Sequence, residues 1–206
     1  MKNKRKIGVL IGSLRKESYS RKVAESLRAL APENMELEFI AIDALEMFNQ
    51  DFDDEGTVPE SWVRFRDLVK QMDAFLFVTP EYNRSIPAVM KNALDVGSRP
   101  YGYNAWDGKP GAVVGVSPGT IGAFGANHIL RQSLVFLNVP AMQQPEAYVA
   151  NAATLHDEHG ELILESTREF FRSFLNSFST WIDTILNNCR APRLFICQRM
   201  VPGCAP

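Results

Sequence analysis

The first 188 residues contain no cysteine. All three, Cys189, Cys197 and Cys204, fall in the last eighteen residues, with spacings that match neither a paired zinc-ligand set nor a redox dithiol. No run of about 18 apolar residues occurs, and the N-terminus has no apolar signal region. The chain is therefore expected to be cytoplasmic and free of membrane contact. Excess charge is missing too: a net charge of -2 excludes nucleic acid as the main partner, because neutralising phosphates needs a concentrated basic surface. The basic cluster Lys2, Lys4, Arg5 and Lys6 reads as a solvated N-terminal tail. No G-x-S-x-G elbow exists, which excludes a hydrolase of that type. Histidine is limited to His128, His156 and His159. The run His156-Asp157-Glu158-His159 sits in a polar, Gly-containing turn, Asp157–Glu161, and reads as a solvated hairpin rather than a metal site.

What is present is an ordinary globular composition, 46% hydrophobic and 22% charged over 206 residues, enough for one α/β domain. Residues 1–188 form that domain. Residues 189–206 carry three Arg, three Pro and no acidic residue, and read as a disordered or artificially appended tail. Short apolar runs at Ile7–Ile11, Leu37–Ile42, Ala74–Thr79, Ala112–Val116 and Ala147–Ala150 predict strands, most of them buried on both faces. Between them, helical spacing predicts helices over Arg21–Ala31, around Trp62–Met72, from Pro87 to Val96, over Ala126–Leu137 and over Glu165–Leu186. Asn49–Glu60 reads as a polar surface loop, and Asp107–Pro110 as a turn. The stripe Phe171, Phe174, Phe178, Trp181 and Ile185 reads as core packing rather than a ring-binding surface. The alternation implies a parallel sheet covered by helices on both faces, with right-handed crossovers.

Ligands of such sheets bind outside the carboxyl ends of the strands, where strand order reverses. The loop after the first strand, Gly12–Ser20, offers Ser13, Ser18, Ser20 and Arg15 at a helix N-terminus, where free N–H groups and the dipole attract an anion. One serine is expected to cap the helix. The spacing is neither a P-loop nor a G-x-G-x-x-G turn, which points to a mononucleotide phosphate. The loop after the third strand, Thr79–Pro87, presents Pro80, Glu81, Tyr82 and Asn83, suited to hold a flat heteroaromatic ring, though an ordinary β-turn over Pro80–Asn83 fits as well. The loop after the fourth strand, Ser117–Gly125, spaces Gly119, Gly122 and Gly125 so that the backbone can approach a ligand. Arg99 either meets an anionic ligand or forms a surface salt bridge.

Taken together, Gly12-Ser13-Leu14-Arg15 with Ser18 and Ser20, Pro80-Glu81-Tyr82-Asn83 and Ser117-Pro118-Gly119 closely resemble the NADPH-dependent FMN reductase family, over about Lys6 to Asn187. The resemblance implies a flavodoxin-like three-layer sandwich with a five-stranded parallel sheet of order 2-1-3-4-5. It implies FMN as cofactor and NADPH or NADH as donor, with hydride passing in ping-pong fashion to quinones, azo compounds, chromate or free flavin. Carried over by position, Ser13, Arg15, Ser18 and Ser20 would hold the FMN phosphate, and Pro80, Glu81, Tyr82 and Asn83 would line the isoalloxazine. Ser117 and Gly119 would stand near its other edge, and no catalytic side chain is required. Ser20 stands where some relatives have Asn, and Asn127-His128-Ile129 departs from relatives with a longer polar insert. The family also implies a homodimer or homotetramer, with the helices after strands three and four at the interface. An electron carrier of flavodoxin type, or a flavin-sensing interaction protein, are the competing readings.

Overall fold

A computed structural model describes residues 4–188, and the separate tail read at 189–206 lies outside the described residues. Strand β1 (Arg5–Ile11) pairs in parallel with β2 (Met35–Ile40) on one side and β3 (Ala74–Pro80) on the other. Beyond β3 lie β4 (Gly111–Val116) and β5 (Ala147–Val149), so the order is 2-1-3-4-5, all parallel. This is the flavodoxin-like arrangement, in which the order reverses between β1 and β3.

The two-residue period of a strand divides the apolar runs between two layers. Ile7, Val9, Ile11, Leu76, Val78, Val114 and Val116 face helices α1 (Tyr19–Ala29) and α6 (Glu165–Asn188), against Val23, Leu27, Phe171, Phe174, Phe178 and Ile182. Leu10, Phe75, Phe77 and Val113 face α3 (Glu60–Gln71), α4 (Ala88–Gly97) and α5 (Phe124–Phe136), against Trp62, Phe65, Met90, Leu94, Trp106, Leu130 and Leu134. Each such fully buried large side chain contributes roughly 1.5–3 kcal/mol of transfer free energy. Of the expected α6 stripe, Trp181 and Ile185 lie at the half-buried margin, while Leu175 and Ile182 fill the centre.

Helix α1 begins at Tyr19, two residues before the expected Arg21, because Ser18 caps it; α5 likewise begins at Phe124 rather than Ala126. Strand β2 is displaced to Met35–Ile40, since Met35 pairs with Arg5 at the start of β1, and Ile42 leaves the sheet while staying buried. Pro87 is the cap of α4, one residue outside its first turn. The segment read as a polar surface loop holds a one-turn helix, α2 (Asp51–Asp54), and a buried ion pair. Arg66 meets Asp53 through two bonds of 2.7 and 2.8 Å and donates Nε to Val96 O at 2.9 Å, so α2, α3 and α4 are tied at one point. Asn92, also buried, closes the same segment by bonding Phe48 N at 2.7 Å and Glu46 O at 3.0 Å.

Candidate functional site

The loops after β1, β3, β4 and β5 gather at the carboxyl edge of the sheet. Gly12 N donates to Val78 O at 2.9 Å, prolonging the β1–β3 pairing past the end of β1. A Cβ on Gly12 would stand 3.1 Å from Pro80 Cδ and 3.3 Å from Thr79 Oγ1, so glycine is what lets the first and third loops touch. The chain then turns through Ser13–Glu17 into Ser18, whose hydroxyl oxygen accepts from Arg21 N at 3.1 Å. One cap contributes about 1 kcal/mol and leaves the Ser18 hydroxyl proton to spare. Ser13 and Ser20, 7% and 2% exposed, make no side-chain hydrogen bond among the described residues. Three hydroxyls with donors unspent, beside the free N–H groups of an eleven-residue helix, suit a phosphate dianion. Arg15 is exposed and stands 5.9 Å over the Tyr19 ring, with no carboxylate partner among the described residues.

In the third loop the turn falls on Tyr82–Ser85, two residues beyond a turn over Pro80–Asn83. Tyr82 and Ser85 exchange backbone bonds of 3.0 Å each, and Asn83 and Arg84 take φ of 51° and 65°. Two left-handed central residues in a two-residue hairpin mark a type I′ turn, which Asn tolerates and Arg does not favour. Glu81 does something the sequence did not suggest. Its carboxylate accepts from Ala126 N at 3.1 Å and from Arg84 Nη1 at 3.3 Å. Helix α5 has no cap of its own, since Ala123 precedes it at φ 60°, and Glu81 supplies the missing acceptor and the favourable charge. Glu81 thus fixes the third loop to the fourth.

The fourth loop is knitted to the fifth. Ser117 N donates to Val149 O at 2.9 Å, Gly119 N to Ser117 Oγ at 3.0 Å, and Asn151 N to Gly119 O at 3.1 Å. Beside it stands a cluster that sequence reasoning missed: Phe124 lies 4.3 Å from the His128 ring, and Tyr148 OH is 3.0 Å from His128 Nε2. Burial, and after it the neighbouring Glu146, push the Tyr148 phenol up to about 12. The three residues come from two elements, and only their shared aromatic character hinted at a cluster.

The edge therefore assembles Ser13, Arg15, Ser18, Ser20, Pro80, Glu81, Tyr82, Asn83, Ser117 and Gly119. It does not include Arg99. Helix α4 runs back down from the carboxyl edge, so Arg99 at its end lies at the opposite edge, its guanidinium 5.7 Å over the Tyr101 ring and in no salt bridge among the described residues. The neighbouring loop is bound there by Ala105 N to Gly97 O and by Asn104 Nδ2 to Leu137 O. The hairpin at 156–162 exists, with Asp157 N on Glu161 O at 2.9 Å, and His159 is exposed. His156 is not solvated as expected: its Nε2 lies 2.9 Å from Ser26 Oγ on α1. No group of three or more His, Cys, Asp or Glu suited to a metal occurs among the described residues, and no helix there is long and apolar enough to cross a membrane.

The family model described as NADPH-dependent FMN reductase matches residues 5–154. A quinone reductase of Pseudomonas putida is 56% identical over 176 residues, covering 85% of this chain and 94% of that protein. A 2-hydroxy-1,4-benzoquinone reductase of a Burkholderia species is 40% identical over 177 residues, covering 86% and 96%. Among solved structures, the flavoenzyme NAD(P)H:(acceptor) oxidoreductase FerB of Paracoccus denitrificans superposes with a TM-score of 0.82 at 39% identity, covering 87% of this chain and 98% of its own.

Proposed function

This chain belongs to the NADPH-dependent FMN reductase family; it is an oxidoreductase that uses FMN and NAD(P)H, and we propose that quinones are its acceptors and that donor and acceptor take turns at one flavin face. The first loop carries this reading. Its buried serine hydroxyls keep their protons available at a helix N-terminus, which is what a flavin phosphate needs. In this reading Ser13, Arg15, Ser18 and Ser20 hold the phosphate, while Pro80, Tyr82, Asn83, Ser117 and Gly119 line the ring. Glu81 acts one step back, by holding the third loop against α5.

When bound, FMN supplies the two-electron chemistry, accepting hydride equivalents from a donor and yielding them to an acceptor. The balance is simple: NAD(P)H surrenders a hydride and departs as NAD(P)+, and the quinone gains that electron pair with two protons, one of them from solvent. The side chains are asked only to bind, orient and shield, so no general base is needed. Azo compounds, chromate or free flavin would be served by the same exchange. We place the enzyme in the cytoplasm and expect a homodimer or homotetramer. Val135 and Phe136, 78% and 89% exposed at the end of α5, favour a covered helix face in the assembly.

The test is the visible spectrum of the purified protein before and after anaerobic NADPH. A yellow protein that bleaches, and then recovers its colour on adding a quinone, is expected. In Arg15→Ala, FMN should be held roughly tenfold more weakly, as the loss of one charged hydrogen bond implies. A colourless protein that refuses FMN, or an Arg15→Ala variant with unaltered flavin affinity, would overturn the phosphate-site assignment.

A further inference from the structure

Helix α5 enters the carboxyl edge with its positive end bare. Ala123 precedes it at φ 60°, no side chain of its own loop caps it, and its first turn holds no acidic residue. Of its first three N–H groups, only that of Ala126 finds an acceptor among the described residues, and that acceptor is the Glu81 carboxylate at 3.1 Å. Glycine at position 125 admits the approach: a Cβ there would stand 3.0 Å from Glu81 Oε2 and 3.2 Å from Arg84 O. The rest of the fourth loop is pressed onto the sheet, where a Cβ on Gly115 would meet Gly122 O at 2.5 Å and one on Gly122 would meet the Tyr148 carbonyl carbon at 2.7 Å. The end of α5 is thus pinned, and the third loop reaches it through one carboxylate.

Among the residues gathered at this edge, Glu81 is the one acid. Its side chain is 13% exposed, whereas that of its partner Arg84, 3.3 Å away, is 76% exposed. Water and salt screen the cation far more than the anion, so the two do not cancel. The helix end offsets the carboxylate by roughly half a charge, which leaves the inner side of the loop net negative. Pro80 and Tyr82, on either side of Glu81, line the ring in the reading above. A hydride carries two electrons and one proton, so a ring that takes one from NAD(P)H gains one unit of negative charge. A buried carboxylate at the next residue opposes that gain.

We propose that Glu81 sets the reducing power of the bound flavin: its buried charge disfavours the reduced form, and so favours handing the electron pair on to an acceptor. The proposal rests on the reductase reading above and adds which side chain tilts its electron balance. Glu81 is a positioning residue, one step removed from the ring. Its bond to Ala126 holds the third loop in place, and its charge acts across that loop.

The test equilibrates the FMN-loaded protein anaerobically with a reference dye of known potential and reads the fraction of flavin reduced. Glu81→Gln keeps an oxygen for Ala126 N and discards the charge. It should move the reduction equilibrium of the bound flavin roughly tenfold toward the reduced form, the scale of one buried unit charge at short range. For a two-electron couple that is a rise of about 30 mV. Affinity for oxidised FMN should stay within about threefold of the parent's, because the loop is still held. Raising the salt to about 0.5 M should leave the shift in place, since a buried charge is little screened. Arg84→Glu is the counterpart on the exposed side, adding negative charge without touching the Ala126 bond. There the equilibrium should move the other way, by about two- to threefold at low salt, and return at high salt. An equilibrium in Glu81→Gln equal to the parent's would overturn the proposal and reduce Glu81 to a clasp. The reductase reading would then stand, provided the parent holds FMN and is bleached by NADPH. A shift of the same sign in both variants, or a Glu81→Gln shift that salt abolishes, would overturn the proposal as well. Should Glu81→Gln not fold, the sign of the Arg84→Glu shift decides alone. A parent protein that takes up no FMN would bring both readings down together.

Discussion

The two edges of the sheet treat their polar groups in opposite ways. At the amino edge several donors are turned inward and used, although Arg99 is not among them. Lys109 Nζ donates to Val69 O, Lys70 O and Met72 O at 2.9, 2.7 and 2.6 Å, closing the end of α3. Burial pulls Lys109 down to about 8, still above neutral, so the cap is charged at pH 7. Trp106 Nε1 meets Leu94 O at 3.1 Å and Asn104 Nδ2 meets Leu137 O at 2.8 Å. At the carboxyl edge, among the described residues, Arg15 lacks a carboxylate, two buried serine hydroxyls lack partners, and the non-glycine residues Asn83, Arg84, Ala123 and Asn151 sit at positive φ. Only Asn138 does so near the other edge, among the described residues. Residues held at such φ persist where the surroundings over-determine them. One edge therefore stores the stability that lets the other keep strained backbone and open donors for a ligand.

The strongest way to break this division is at Trp106. Its side chain is fully buried, 4.7 Å from the Phe75 ring, and a Cβ on Gly97 would come within 2.5 Å of its Nε1, so the indole packs directly against that glycine. Trp106→Ala should cost about 3–5 kcal/mol of unfolding free energy, read from the fall in the urea midpoint. Flavin affinity per folded molecule should not change. If it falls as well, the edges are not independent.

The complementary change is Ser18→Asp. Aspartate caps a helix as well as serine, so the melting temperature should stay close to the parent's. A carboxylate facing a phosphate is repelled by several kcal/mol, so FMN should bind at least about a hundredfold more weakly. Equal losses of stability and flavin affinity would reduce Ser18 to a cap alone.

How much of this was legible follows from the range of each interaction. The strands and the two-layer core could be read because apolar runs and helical stripes are local signals, and the loop after β1 stood out as a candidate because its hydroxyls and Arg15 are adjacent. The cap of α5 could not, since Glu81 reaches Ala126 across 45 positions. The buried Arg66–Asp53 pair was hidden inside a segment whose composition reads as solvated. Arg99 was misplaced because residue type says nothing about which way a crossover helix runs.

The smallest expected effect sits on the helix that links the two regimes. Ser26 of α1 donates its hydroxyl to Lys22 O at 3.1 Å, so it accepts from His156 Nε2 at 2.9 Å. That leaves His156 Nδ1 bare, and it is buried without a partner. Burial first, then the Lys22 charge, hold His156 below its ordinary range, while Asp157 and Glu161 pull the other way. Above about pH 6.5, the value of an unfolded histidine, both states are neutral and the full stability is present. As the pH falls below that, the unfolded chain takes a proton that the folded chain refuses, and stability is lost through the depressed folded value. Because the ring is partly solvated, the loss should stay below about 1 kcal/mol. Melting temperatures at pH 7.5 and 5.0 should show the acid-side slope in the parent and a flatter one in His156→Gln, which keeps a donor for Ser26 but cannot titrate. FMN affinity should track pH alike in both proteins, because the hairpin grips α1 two turns from Ser18. A flavin affinity that drops with acid in the parent and not in His156→Gln would mean that this buried contact reaches the open edge after all.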